Sequence, residues 1–157
     1  MRIGFGFDVH RLAAGRELRL GGISIPHHQG AEGHSDADVM IHAICDALLG
    51  AVNLGDIGKH FPDTSSEFKN IDSRILLKRV MEMIQHKKYA VENIDVTLCL
   101  EKPKIAPYID AIRNSLSDAM KIDVDCISIK ATTSEKLGYI GREEGVACYA
   151  VVLLKHE

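Results

Sequence analysis

Asp8 and His10 stand one residue apart in a stretch that alternates strictly. Ile3, Phe5, Phe7 and Val9 fall on one side, Gly4, Gly6, Asp8 and His10 on the other. Period two is the mark of a strand, with the apolar row expected to face a core and the glycines to leave open space. On a strand, residues i and i+2 leave the same face, so this carboxylate and imidazole can reach one cation. Taken alone, the pair reads equally as a polar strand face ending in a hydrogen-bonded histidine. His42 changes the balance. It interrupts an apolar helical pattern running to about Ala51, and a buried imidazole needs a partner, either a backbone carbonyl or a metal. One carboxylate and two imidazoles with a fourth position open is the pattern of catalytic zinc. Asp38 and Asp46 lie one helical turn to either side, and either could orient the second nitrogen of His42.

Three further segments carry polar chemistry. Gly33-His34-Ser35-Asp36 precedes the helix, where free N–H groups favour anions; His34 and Ser35 could donate to a phosphate, or Ser35 or Asp36 could simply cap the helix. Gly55 to Thr64 lacks the G-x-x-x-x-G-K-[ST] spacing of a phosphate loop. It is either a turn-rich connector or a binding loop in which Asp56 accepts from ligand hydroxyls; a loop of this length in a small domain tends to be functional. Thr132, Thr133, Ser134 and Glu135 follow a strand and could hold a diphosphate with its magnesium, or form a turn. Arg142 lies between glycines, as a solvated or ion-paired cation. No G-x-S-x-G elbow occurs, so metal-centred electrostatics suit the chain better than a covalent nucleophile.

The elements that must position these groups follow from periodicity and punctuation. After the first strand, Leu18–Leu20 and Ile23–Ile25 flank Gly21-Gly22 as a hairpin, and residues 26–36 form a loop. The first helix starts at Ser35 or Asp36; residues 53–72 form a second loop; a second helix covers about 73–87. Ile94 to Leu100 alternate as a strand, Pro107 opens a third helix, and strands follow at 127–132 and 145–155. The fold class is α+β: one domain, a small mixed sheet with helices packed on one face, and a ferredoxin-like, split-βαβ character around the third helix. With 157 residues, 46% hydrophobic and 26% charged, the chain has the composition of one ordinary globular domain. Its net charge of −3 argues against coating nucleic acid, and an anionic ligand would need local cations. No apolar run approaches the ~18–20 residues of a membrane span, and no signal segment is visible, so a cytoplasmic protein is expected. Cys45, Cys99, Cys126 and Cys148 form no C-x-x-C pair and read as small core residues.

Taken together, Gly6-Phe7-Asp8-Val9-His10, Gly33-His34-Ser35-Asp36, the His42 helix ending Asp46-Ala47-Leu48-Leu49-Gly50, Leu54 to Asp63, Lys102-Pro103-Lys104 and Lys130 to Gly138 resemble the 2-C-methyl-D-erythritol 2,4-cyclodiphosphate synthase family, in its order and from end to end. The resemblance implies an enzyme of non-mevalonate isoprenoid biosynthesis, a cyclising lyase that releases CMP. A non-catalytic metal and isoprenoid-diphosphate binder, or another zinc phosphohydrolase, are the competing readings. It implies zinc or a similar ion on Asp8, His10 and His42, and magnesium or manganese on Glu135. His34 and Thr133 would stabilise the transition state, and Ser35 would contact phosphate. Asp56, Ile57 and Gly58 would hold the methylerythritol unit, bordered by Phe61, Pro62, Asp63, Thr64 and Ser65, and Asp8, Val9 and His10 would be among the substrate-binding residues. Leu100, Glu101, Lys102, Pro103, Lys104, Ile105 and Ala106 would cradle cytidine, with Thr132, Thr133, Ser134, Glu135, Tyr139 and Arg142 completing the substrate contacts. A homotrimer with shared sites is implied, with Phe7, Arg142 and Glu144 lining an axial cavity. Phe5 stands where some members carry His, and Glu143 where Gly is frequent.

Overall fold

Strand β1 (Arg2–Ala14) is the element on which the site depends, and its two faces are reversed from expectation. In the computed structural model, which describes residues 1–157, the glycine face is the buried one. It lies directly on helix α1 (Val39–Ala51): a Cβ at Gly4 or Gly6 would sit 1.9 Å from the carbonyl oxygen of Ala47 or Ala43. The expected open space is therefore backbone-to-backbone contact, which only glycine permits. The apolar row faces outward, with Ile3 72% and Phe5 63% exposed, and Phe7 and Val9 also exposed.

β1 pairs antiparallel with β7 (Gly145–His156), from Arg2 opposite Leu154 to Arg11 opposite Gly145. β7 pairs antiparallel with β5 (Tyr89–Cys99), and β5 pairs parallel with β6 (Ile127–Thr132). The short β4 (Gln29–Ala31), inside the expected loop 26–36, closes the other edge on β1. The sheet order is β4-β1-β7-β5-β6. The split crossover is not where the sequence suggested. β5 and β6 are neighbours, so the unit around the third long helix is unsplit; β1 and β5 are the parallel pair with a strand, β7, inserted between them. The hairpin β2 (Leu18–Leu20) and β3 (Ile23–Ile25) forms as expected, turning through positive φ at Gly21 and Gly22.

One face of the sheet carries α1, α3 (Ser73–His86) and α4 (Ile109–Met120). The expected loop 53–72 contains the short α2 (Ile57–His60), and α5 (Gly138–Gly141) precedes β7. α1 is buried nearly all round because it lies between the sheet and α3; Ile41, Ile44, Leu48 and Leu49 are fully enclosed, each worth roughly 1.5–3 kcal/mol relative to exposure. The helix starts later than expected: Asp38, not Ser35 or Asp36, is its N-cap. The Asp38 carboxylate accepts from Ile41 N–H at 3.1 Å and from Gly21 and Gly22 N–H at 2.9 and 2.7 Å, so one side chain caps the helix and holds the hairpin against it. No disulfide forms. Cys45 and Cys148 are core residues, while Cys99 and Cys126 are only partly buried, contrary to the uniform core reading.

Candidate metal centre and cleft

The glycine contact brings the polar end of β1 against the first turn of α1. Asp8 and His10 leave the helix-facing side of the strand and meet His42 one turn into the helix. Asp8 Oδ2 lies 2.9 Å from His10 Nε2 and 3.2 Å from His42 Nδ1, and the two nitrogens are 3.2 Å apart. A tetrahedral ion with bonds of ~2.0–2.1 Å spaces its donors by about 3.3 Å, so the three atoms outline one face of such a coordination shell. This is the one cluster of three or more such side chains in the chain whose donor atoms converge.

Hydrogen bonding settles what the atoms present. His10 Nδ1–H donates to the Glu32 carbonyl oxygen at 2.9 Å, which leaves the neutral ring's Nε2 lone pair pointing at Asp8 and His42. Lone pairs gathered in this way repel one another unless a cation sits among them. The same need shows in the acid–base behaviour. Burial works to raise the Asp8 carboxyl, but His10 and His42 at its side, whenever either ring takes up its second proton, outweigh this and hold it at about 2. Burial works to lower His10, and the adjoining Asp8 carboxylate reverses this and raises it. The donor set thus fits a divalent ion of zinc type.

Neither aspartate expected to orient the second nitrogen of His42 does so. Asp38 is engaged by the hairpin, and Asp46 Oδ1 accepts from Ile57 N–H at 2.7 Å, fastening α2 to α1. His42 Nε2 instead faces two hydroxyls, Ser35 Oγ at 3.1 Å and Ser73 Oγ at 3.0 Å. Ser73, at the start of α3, was missed by sequence reasoning. Its only signal was its place after Asp72, the helix N-cap, and nothing local ties that helix start to residue 42.

Beside the donors opens a cleft of about 510 Å³ lined by His10, His34, Ser35, His42, Ile57, Gly58 and Phe61 to Thr64, with Phe68 and Leu76 as unexpected members. His34 Nε2–H donates to the Ser65 carbonyl oxygen at 2.9 Å, and its backbone carbonyl accepts from Asn70 N–H, so the 33–36 loop is strapped to the segment before α3. Asp56 caps α2 through Lys59 N–H at 3.0 Å. Val9 points to the opposite face of the sheet from its neighbours Asp8 and His10.

The remaining expected residues gather elsewhere. A second pocket of about 210 Å³ is lined by Leu100, Glu101, Pro103, Lys104, Ile105, Ala106, Thr132 and Thr133, and shares no residue with the cleft. The Glu101 carboxylate accepts from Ser134 N–H at 3.2 Å, joining the two loops that form it. Through the ladders Val9–Ala147–Cys99–Thr132, this pocket lies three strand spacings from the donors, about 14 Å. Lys102 pairs with Glu143 at 3.1 Å, and Arg142 with Glu144 at 3.1 Å. Glu135 sits in the loop after β6 at positive φ, its N–H bonded to Thr133 Oγ1 at 3.3 Å, and is not brought to the histidines. Tyr139 is exposed on α5, and Phe7 packs against Tyr149 on the open sheet face with ring centres 5.0 Å apart.

Fold and site define a class: a single-domain α+β protein whose strand–helix junction carries a donor set for a divalent ion beside a cleft. The model of the YgbB family matches residues 1–155, and the chain belongs to that family. It is 59% identical over 154 residues to a protein of Bacteroides fragilis named 2-C-methyl-D-erythritol 2,4-cyclodiphosphate synthase, covering 98% of this chain and 97% of that protein. Among solved structures, it is similar to a CDP-bound form of 2C-methyl-D-erythritol-2,4-cyclodiphosphate synthase, with 40% identity, a TM-score of 0.91, and coverage of 98% of this chain and 100% of that one. It also matches the bifunctional IspDF of Campylobacter jejuni, with a TM-score of 0.96 and 40% identity, covering 99% of this chain and 42% of that protein.

Proposed function

We propose that the protein converts 4-diphosphocytidyl-2-C-methyl-D-erythritol 2-phosphate to 2-C-methyl-D-erythritol 2,4-cyclodiphosphate with release of CMP, as a cyclising phosphorus–oxygen lyase of isoprenoid precursor synthesis. The observation that carries this is the near-equilateral triangle of Asp8, His10 and His42 donors at the mouth of a cleft large enough for a methylerythritol phosphate. The shared name of its relatives supports the same reading. In the reaction an oxygen of the 2-phosphate attacks the β-phosphorus, the bond from that phosphorus to the bridging oxygen breaks, and CMP leaves with that oxygen. Both partners belong to one molecule, so alignment and charge neutralisation supply most of the catalysis.

Asp8, His10 and His42 would hold the zinc-type ion, which supplies Lewis-acid neutralisation of phosphate charge when bound. His34 and Ser35 line the cleft where phosphate would lie, and Asp56, Ile57 and Gly58 meet the methylerythritol hydroxyls. The pocket of residues 100–106 takes cytidine, and the CDP-bound form of a similar solved protein supports a cytidine ligand. Thr132 and Thr133 contact its phosphates, Thr133 with His34 stabilises the transition state, and Glu135 would hold magnesium or manganese.

The assembly is a homotrimer with sites shared between neighbours. The separation of cleft and pocket and the uncovered sheet face support it. Phe7, Arg142 and Glu144 line its axis. The location is cytoplasmic; no helix is long and apolar enough to cross a membrane.

Metal-loaded protein given the substrate is expected to yield the cyclic diphosphate and one CMP. Free inorganic phosphate instead would mark a phosphohydrolase, and binding without turnover a non-catalytic protein. His42→Ala is expected to lower the metal-to-protein ratio and abolish CMP release while the circular dichroism spectrum stays native. Unchanged stoichiometry and rate would remove His42 from the site.

A further inference from the structure

His42 Nδ1 serves the metal centre only if its proton resides on Nε2, and the surroundings of Nε2 dictate where that proton goes. Ser73 Oγ, 3.0 Å from Nε2, also lies in a short contact with Asp36 Oδ1. A carboxylate can only accept, so the single hydroxyl proton of Ser73 points at Asp36. Ser73 Oγ is left as an acceptor toward His42, which must therefore donate from Nε2. Asp36 itself is fixed from every side. Its Oδ2 accepts from Ser73 N–H at 3.0 Å and stands 3.4 Å from Arg19 Nε, and its Oδ1 accepts from Asp38 N–H at 3.3 Å. Arg19 is held in turn by the Gly22 carbonyl, to which it donates at 3.1 Å, and by Asp72 at 3.7 Å.

We propose that Ser73 and Asp36 are positioning residues that lock His42 in the Nε2–H tautomer, with the Nδ1 lone pair aimed between Asp8 and His10. A second consequence concerns Ser35. Its Oγ accepts from Ala37 N–H at 3.2 Å and lies 3.1 Å from the same Nε2–H. Because His42 is the donor there, the Ser35 hydroxyl proton is free to turn into the cleft toward an anion. The inference rests on the metal-site reading above but not on the cyclisation, and its test uses no substrate.

Three variants of the full-length protein separate a tautomer lock from simple packing. Ser73→Ala keeps the backbone N–H to Asp36 and removes only the hydroxyl. Ser73→Thr restores the hydroxyl. Asp36→Asn keeps the shape but sets an amide N–H₂ against one of the donors that now face each carboxylate oxygen. Zinc affinity, read by competition with a chromophoric chelator, is expected to fall about 10–100-fold in Ser73→Ala and Asp36→Asn and to recover in Ser73→Thr. In chelator-treated protein above neutral pH, two-bond ¹H–¹⁵N spectra are expected to show His42 as the Nε2–H tautomer. Ser73→Ala is expected to show a mixture of tautomers. A wild-type His42 found as Nδ1–H, or a Ser73→Ala protein with unaltered tautomer and zinc affinity, overturns the proposal, even if its melting point drops. A protein that passes these tests yet releases no CMP would sink the cyclase reading and leave this inference standing.

Discussion

Asp38 serves three backbone N–H groups while wholly enclosed, and at this residue the cost of burying a carboxylate is measurable. Burial, with Asp36 nearby adding to it, pushes its carboxyl up to about 6 despite those three donors. The folded chain thus binds this proton more tightly than the unfolded chain, whose value is near 3.8. Stability from this group therefore grows as pH falls from 6 toward 4 and is lost as pH rises through 6. Asp72, held below its ordinary value by Arg74, works in the opposite sense, losing its contribution as pH falls. Comparing wild type with Asp38→Asn by urea unfolding isolates the first term. The difference is expected to move in favour of wild type by roughly 1–3 kcal/mol between pH 7 and pH 4.5; parallel curves would remove Asp38 as its source. At this scale the sequence was readable where a residue type has few uses. Asp8, His10 and His42 stood out because a carboxylate and two imidazoles at strand and helix spacing have one strong joint reading. Ser35 or Asp36 reads as the cap and Asp38 as a candidate partner of His42, and Ser73 is passed over, because which aspartate or serine beside a helix start does the capping depends on partners far away in sequence, such as Gly21 and Gly22.

Among the elements, the β1–α1 contact governs the rest. Gly4→Ala or Gly6→Ala would drive a methyl into a main-chain carbonyl that no rotamer change can move. Each is expected to cost about 3 kcal/mol or more in urea unfolding and to loosen metal binding with it. Gly50→Ala, where a Cβ meets no atom within 4 Å, is the control, and is expected to raise stability by up to ~1 kcal/mol. Equal effects at all three positions would mean that the contact is not tight. The strands and long helices were legible because period two and period 3.6 are written in the side chains. The facing of β1 was not, since alternation says that two faces differ without saying which one is covered. Loop segments 29–31 and 57–60 were missed for a related reason. Three or four residues hold no period, and their structure depends on the Ala31–Leu12 pairing and on Asp46 holding Ile57 N–H.

For the whole molecule, the uncovered sheet face is the main open feature. Ile3, Phe5, Phe7 and Val9 on β1 and Tyr149 and Val151 on β7 form an exposed apolar row, more than a lone chain leaves to water without reason. On the proposed trimer this row is where copies meet. Phe7→Asp is expected to shift sedimentation from three copies to one while divalent-metal affinity stays unchanged, because Asp8, His10 and His42 lie on the other side of the sheet. Trimers that persist in this variant would relocate the interface. The acidic net charge also falls into place here: a chain at −3 can host a multiply phosphorylated anion only by gathering cations locally.

The main-chain contact beneath Gly4 and Gly6 has one more result. The gap between the strand and helix that carry the three donors is set by peptide atoms, with no side chain larger than the Ala51 methyl beside them. Drift among the leucines, valines and isoleucines of the interior can then alter how firmly the protein holds together without changing the bite of its ligands. Durability and chemistry are free to evolve on separate schedules.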